Sequence, residues 1–282
     1  FGLSDYLQAH ACRRAVIAGA GFIGLELAEN LIARGLSVTV VDAASQILPG
    51  ALDPELADFA SRRLRKEGLR LLTGSRILSV SGQDRASGIV SDAGPIPADV
   101  VILAIGIRPA TDFLSGSGIA LEKGAVLVDE QMRTNLPDIY AAGDCALVKN
   151  ALTGSRQYSA MGSTANLTAR LLANDLAGGD ESYAGCLGTG VVRLLPDLNV
   201  GRTGLTEAQA RAAGFDPVCV CACVDDKAHY YPGSGTFYLK LVADRPSRRL
   251  LGLQVLGNAV DKLTDLAALA VSQGLTLEAF DT

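Results

Sequence analysis

The 282 residues are 49% hydrophobic and 20% charged, with a net charge of −5. That balance belongs to a globular protein with enough apolar surface for real cores, in one large domain or two ordinary ones. The acidic charge argues against a nucleic-acid or membrane-surface role. No apolar run reaches transmembrane length and no signal peptide opens the sequence. Six cysteines with no C-x-x-C pair fit a reducing compartment, the cytoplasm, better than a disulfide scaffold. The start at Phe1 and the stop at "TLEAFDT" lead us to expect a piece of something longer.

In chain order, Ala15 to Ala18 reads as a buried parallel strand. The glycine run Gly19-Ala20-Gly21-Phe22-Ile23-Gly24 follows it, and a helix over Ile23 to Arg34 is closed by Gly35. Ser37 to Val41 is a second strand, ending at Asp42. "LDPELADFASRRLRKEG" predicts a helix with Asp53 as N-cap, Pro54 at its first position and Gly68 beyond its end. Leu69 to Ser91 carries short strand-like runs, and "ADVVILAIGIRP" reads as another buried strand ended by Gly106 and Pro109. Strand and helix in alternation predict a doubly wound α/β domain of Rossmann type.

"NLPDIYAAGDCA" predicts one more short strand, delivering Gly143-Asp144, and "GSTANLTARLLANDLAGG" a helix with a polar start. After Gly178-Gly179 the alternation stops. Strands "TGVVRLL" and "LNVGRTG" precede a helix with a Thr206/Gln209 capping box. Strands near 218–224, 236–243 and 250–256 and a last helix "AVDKLTDLAALAVSQG" complete an α+β domain beginning near Ser182.

The glycine run has the spacing G-x-G-x-x-G between a strand and a helix. Gly19 permits the tight turn, Gly21 the approach of a pyrophosphate, and Gly24 close helix–strand packing. Asp42 lies 42 − 19 = 23 positions beyond Gly19, near the roughly 20 expected of an acid on the ribose hydroxyls. A carboxylate there repels a 2′-phosphate, and no Arg follows closely, so NADH is expected over NADPH. From physics alone Glu26 is a favourable first-turn charge. Asp144, after Gly143, places a carboxylate where a polyhydroxyl chain can approach; a plain Asp turn is the alternative.

Cys219, Cys221 and Cys223 alternate on one face of a strand, where they read as small buried hydrophobes rather than a metal or persulfide site. Pro232-Gly233 marks a turn after Tyr230 and Tyr231. On that turn alone, one tyrosine would pack beneath it and the other face solvent. His10 and His229 are too few and too far apart in sequence for a metal site.

Taken together, "GAGFIGLELAE", "AIGIRPAT", "IYAAGDCA", "GSTANLTAR", "TGLTEAQA", "HYYPG" and "VDK" resemble the pyridine nucleotide-disulfide oxidoreductases, flavoenzymes with two dinucleotide sites. "YYPG" and "VDK" are similar to the subgroup of coenzyme A-disulfide reductases, NADH oxidases and polysulfide reductases. The resemblance implies an NAD(P)-binding domain over 1–130, the distal piece of a split FAD domain over 131–181, and a truncated dimerisation domain over 182–282. It assigns Gly19, Gly21, Phe22, Ile23, Gly24, Glu26, Asp42 and Gly106 to the nicotinamide nucleotide. Gly143 and Asp144 fall at the flavin ribitol. Ser163, Thr164 and Ala165 fall at the helix start facing the flavin pyrimidine.

It also implies a homodimer in which Tyr230 reaches the partner's redox cysteine. That cysteine and the first FAD glycine loop lie in a segment the sequence given does not include. The implied activity is hydride transfer from NADH through FAD to a small-molecule disulfide or persulfide such as coenzyme A disulfide. An NADH oxidase, a rubredoxin-reductase-like electron carrier and a non-catalytic nucleotide-binding, dimerising segment are the alternatives.

Overall fold

The structure, a computed structural model, describes residues 2–281. It divides into two compact units, one running to Gly106 and resuming at Gly190, the other Ile107–Thr189.

The first unit opens with α1 (Gly2–Ala9), β1 (Arg14–Ala18), α2 (Phe22–Ala33), β2 (Ser37–Asp42), α3 (Pro54–Lys66) and β3 (Arg70–Thr73). An antiparallel meander β4 (Ile77–Gly82), β5 (Ala86–Ser91), β6 (Gly94–Pro97) then returns the chain to β7 (Val100–Leu103). β3, β2, β1 and β7 form a parallel sheet in that order. β1 and β2 are rich in Val, Ile and Ala and buried at nearly every position, because Ile17, Val38 and Val40 pack on the α2 and α3 side while Val16 and Val41 pack against Ile89 and Ile96 of the meander. The strand expected over "ADVVILAIGIRP" is shorter than predicted and not buried throughout. It ends at Leu103, which is 65% exposed, and Ile105 beyond it is 75% exposed, because β7 is the sheet's edge.

In the second unit β8 (Leu121–Glu122), β9 (Ala125–Leu127), β10 (Ala146–Lys149) and β11 (Arg156–Tyr158) make a small mixed sheet in the order β11-β10-β9-β8, followed by α4 (Gly162–Leu176). The strand expected to end at Asp144 is absent. Asp144 sits in a 3₁₀ turn, Gly143–Cys145, and the strand begins after it. Gly143 has φ +80°, which breaks the extended backbone just before the carboxylate.

The chain re-enters the first unit with β12 (Gly190–Leu195), β13 (Leu198–Gly204), α5 (Glu207–Ala212), β14 (Pro217–Asp225), β15 (Thr236–Asp244), β16 (Leu250–Gly257), α6 (Asp261–Ser272) and α7 (Leu277–Phe280). The five strands form one antiparallel sheet, β12-β13-β16-β15-β14. The Thr206/Gln209 capping box is present. One hydrophobic core runs from Leu25, Leu31, Val40 and Leu56 through to Val192, Leu194, Val200 and Leu256. The strands after Gly190 therefore pack directly on the nucleotide-fold half.

That packing includes a buried ion cluster absent from the sequence reading. Lys240 is 1% exposed. Its Nζ donates to Glu207 Oε2 (2.8 Å) and Glu55 Oε1 (3.1 Å) and lies 3.2 Å from Asp53 Oδ2. Asp53 holds the N-cap position of α3 without capping it. Its Oδ2 instead accepts from Gln254 Nε2 (2.7 Å) and the Glu207 N–H (3.1 Å), and its own N–H donates to Gln254 Oε1 (2.6 Å). Burial pulls the Lys240 ammonium down, but the carboxylates outweigh it and hold the ammonium above the usual lysine range. Lys240, Arg211 and Cys219 in turn bring Glu207 down to about 2.

Candidate functional site

The glycines of the first loop have three different surroundings. Gly19 has φ +107°, and a Cβ there would lie 2.2 Å from the Ala104 carbonyl oxygen. A Cβ on Gly24 would lie 2.0 Å from the Gly19 carbonyl oxygen. Both positions are closed by the protein's own backbone. Gly21, the N-cap of α2, meets nothing within 4 Å. Its bareness serves nothing inside the chain, and it opens space at a helix N-terminus with N–H groups left over.

Asp42, half-buried at the end of β2, ties this loop down. Its Oδ2 accepts the Ala20 N–H at 2.6 Å and its Oδ1 the Ala44 N–H at 2.7 Å. Each carboxylate oxygen has a second lone pair free for a hydroxyl. Phe22 is half-buried and Ile23 exposed on the first turn of α2. Glu26, also exposed, is the helix's fifth residue and lies beyond that turn, so it is not the first-turn charge expected. Gly106, at φ +115°, is exposed with open space around it. The groove at the end of β1 is thus closed by packing at Gly19 and Gly24, and open at Gly21. That arrangement fits a dinucleotide pyrophosphate with an acid at one side.

In the second unit the 3₁₀ turn and the start of α4 come together. The Gly143 N–H donates to Thr168 Oγ1 at 3.4 Å, and the same hydroxyl donates to the Thr164 carbonyl at 2.8 Å. Asp144 and Ser163 are exposed, Ala165 is half-buried and Thr164 is buried. The N-cap of α4 is Met161, with no side-chain cap. A helix of 15 residues thus starts with first-turn N–H groups unanswered by a cap, beside an exposed carboxylate. The donors suit the electron-rich edge of a flavin ring, and the carboxylate suits a polyhydroxyl chain.

The loop between β14 and β15 holds Tyr230 and Tyr231, 76% and 59% exposed. Neither packs beneath the turn, contrary to the expectation of one buried ring. Their centroids are 5.8 Å apart, and His229 meets Tyr230 edge-on at 5.7 Å. The cysteines of β14 also depart from expectation: Cys219 is half-buried, and Cys221 and Cys223 are exposed, because β14 is an edge strand. Burial, then Glu207, pushes the Cys219 thiol up to about 11, far from a ready nucleophile. Among the described residues no group of His, Cys, Asp and Glu is arranged to hold a metal ion.

Lys240 left a trace that the sequence reading passed over. It interrupts the apolar run of "TFYLKLVAD", falling between Leu239 and Leu241. A lysine in that register must be paired once buried. Cys186, Gln157 and Tyr183 of the second unit carry no such trace.

The family model described as pyridine nucleotide-disulphide oxidoreductase matches residues 3–165. The model of that family's dimerisation domain matches residues 194–282. The chain belongs to this family, whose cofactors are NAD(P)H and FAD. It is 34% identical to a CoA-dependent NAD(P)H sulfur oxidoreductase of Pyrococcus furiosus, over 97% of this chain and 62% of the relative. It is 31% identical to an NADH oxidase of Methanocaldococcus jannaschii, over 97% and 61%. An NAD-dependent persulfide reductase from A. fulgidus superposes with a TM-score of 0.93 at 33% identity, covering 98% of this chain and 51% of that one. The chain spans under two thirds of the length of each.

Proposed function

We propose that this chain is the nucleotide-binding and subunit-pairing part of an enzyme that passes hydride from NADH through FAD to a small-molecule disulfide or persulfide. Residues 1–130 serve the nicotinamide nucleotide, 131–181 the ribitol and pyrimidine side of the flavin, and 182–282 the pairing of two subunits. The observation that carries this reading is the presence of two separate dinucleotide-type cradles in one chain, Gly21 with Asp42 and Gly143-Asp144 with the start of α4.

The residues divide the labour. The backbone at Gly21 and the N-terminus of α2 hold the pyrophosphate, with Phe22 and Ile23 beside it. Asp42 accepts from the ribose hydroxyls and disfavours a 2′-phosphate. Glu26 and Gly106 border the nicotinamide. Asp144 binds the ribitol, and the open N–H groups at Ser163 and Thr164 favour negative charge on the flavin ring, with Ala165, whose N–H is held by the Met161 carbonyl, lining the same turn. Bound flavin supplies hydride acceptance and electron-pair transfer. Tyr230 of the partner subunit donates a hydrogen bond or proton to the departing thiolate.

The acceptor class is taken from the sulfur and persulfide reductases among the relatives. The NADH oxidase relative supports a second reading, with dioxygen as acceptor. Steady-state assay of the full-length protein separates the two. NADH consumption should need coenzyme A disulfide or polysulfide, with little oxygen uptake. Oxygen uptake matching NADH consumption without a sulfur acceptor would establish the oxidase instead.

A further inference from the structure

Beneath the start of α4 lies a set of mostly buried polar side chains. Thr164 is 7% exposed, and its Oγ1 lies 2.9 Å from the Oγ of Ser159, itself 8% exposed. The Tyr183 ring, 3% exposed, packs in one cluster with Cys186, and its phenol interacts with both Thr164 and the Cys186 thiol. Cys186, 8% exposed, accepts from Gln157 Nε2 at 3.0 Å. Gln157 Oε1 accepts from Asn150 Nδ2 at 2.7 Å. The backbone around the thiol is pinned as well: the Cys186 N–H donates to the Lys149 carbonyl (2.8 Å) and the Ala151 N–H to the Cys186 carbonyl (3.0 Å).

Buried polar side chains are costly unless partnered, and Asn150, Ser159, Thr164, Tyr183 and Cys186 all have polar neighbours here, with half-buried Gln157 bridging Asn150 and Cys186. An apolar filling would serve stability alone as well or better. The set touches the first turn of α4 at Thr164, a residue that gains nothing from being helical. That helix has no side-chain cap. What holds its start in place is therefore this inward network, together with the Thr168 hydroxyl, which links the same turn to Gly143. The thiol is no nucleophile: burial pushes Cys186 up from the ordinary cysteine value. The Tyr183 phenol, pushed up to about 12, stays a donor at any physiological pH.

We infer that the network Gln157–Cys186–Tyr183–Thr164–Ser159 fixes the first-turn N–H donors of α4 against the electron-rich edge of the flavin, making Tyr183 and Cys186 positioning residues that set the flavin's reduction potential. The inference rests on the flavin placement proposed above. Preorganised donors favour the charge that develops on reduction more than donors that must reorient. Loosening Thr164 therefore makes the reduced form less favourable.

The test uses the full-length flavoprotein, reading flavin content, midpoint potential and thermal stability together. Tyr183→Phe keeps the ring and removes the donor. It should make the potential more negative by the equivalent of about tenfold in the reduction equilibrium, about 30 mV for a two-electron couple. Cys186→Val should act in the same direction. Cys186→Ser, which keeps an acceptor, should stay near wild type. A merely structural role would lower stability and flavin content but leave the potential of the retained flavin unmoved, and that result overturns the inference. If the full-length protein purifies without flavin and takes none up, the underlying placement fails, and the inference with it.

Discussion

The two cradles differ in what makes them. At the Gly19–Gly24 loop the demands are on backbone: two of three glycines are fixed by contacts under 2.5 Å that any Cβ would make, and the third is bare toward open space. At the Gly143 turn and the start of α4 the demands are on exposed donors and a buried side-chain network, and no glycine is closed by a backbone clash. A Cβ on Gly143 would meet only Ala165 Cβ at 3.7 Å. One cradle is shaped by exclusion and the other by support from behind.

That contrast predicts a graded set of outcomes. Gly24→Ala forces a backbone shift, and overpacking of this kind costs about 1–3 kcal/mol or more. Thermal denaturation should show it, and NADH binding by calorimetry should be lost. A wild-type melting temperature in Gly24→Ala would break the first half of the contrast. Gly143→Ala has room but keeps a positive φ, costing roughly 1–2 kcal/mol. It should lower flavin content in the full-length protein and leave NADH affinity alone. Gly21→Ala is expected to leave stability within about 0.5 kcal/mol, as for an unconstrained site, while NADH affinity falls at least about tenfold. Unchanged NADH affinity there would mean that the open space at Gly21 seats no pyrophosphate.

Asp42→Asn sharpens the comparison more gently. The substitution keeps an acceptor toward Ala20 or Ala44 and removes the charge that repels a 2′-phosphate. The ratio of kcat/KM for NADH over NADPH should fall by about tenfold, the size of one lost interaction. An unaltered ratio would place the specificity elsewhere.

The contrast explains what was legible in the sequence. Gly19 and Gly24 could be read because a tight turn and a close helix each demand a glycine at a particular spacing, and the position of Asp42 at the end of β2 followed from the same strand–turn–helix pattern. The first unit's parallel sheet followed from its runs of Val and Ile and its helix stops. Asp144 and Ser163 to Ala165 are singled out only by resemblance, since an exposed carboxylate and a polar helix start have many ordinary uses. The 3₁₀ turn was misread as a strand end because the small residues around Gly143 carry no periodicity. The cysteines of β14 were misread as buried because nothing local distinguishes an edge strand from a central one. The Lys240 cluster joins Asp53 and Glu55 to Glu207 and Gln254 across about 200 residues of sequence, a pairing that no local pattern announces.

The smallest expected effect separates the halves by acid. Glu207, in the first unit, is depressed from 4.5 to about 2 by Lys240, Arg211 and Cys219. A carboxylate with a lowered folded pKa contributes stability that is full above its unfolded value and lost as pH falls toward the folded one. The first unit should therefore lose stability progressively between about pH 4.5 and 2, and Glu207→Gln should flatten that slope. An identical acid profile in Glu207→Gln would remove the cluster from the account.

Hydride transfer from NADH to flavin and then to sulfur is the activity proposed for the full-length protein. Anaerobic single-turnover absorbance of the full-length protein tests it most directly. One equivalent of NADH should bleach the bound flavin, and coenzyme A disulfide or polysulfide should restore its colour. Tyr230→Phe should leave the bleaching at the wild-type rate and slow the recovery by about tenfold or more. Flavin that NADH cannot bleach, or bleached flavin that only oxygen restores, would contradict the account.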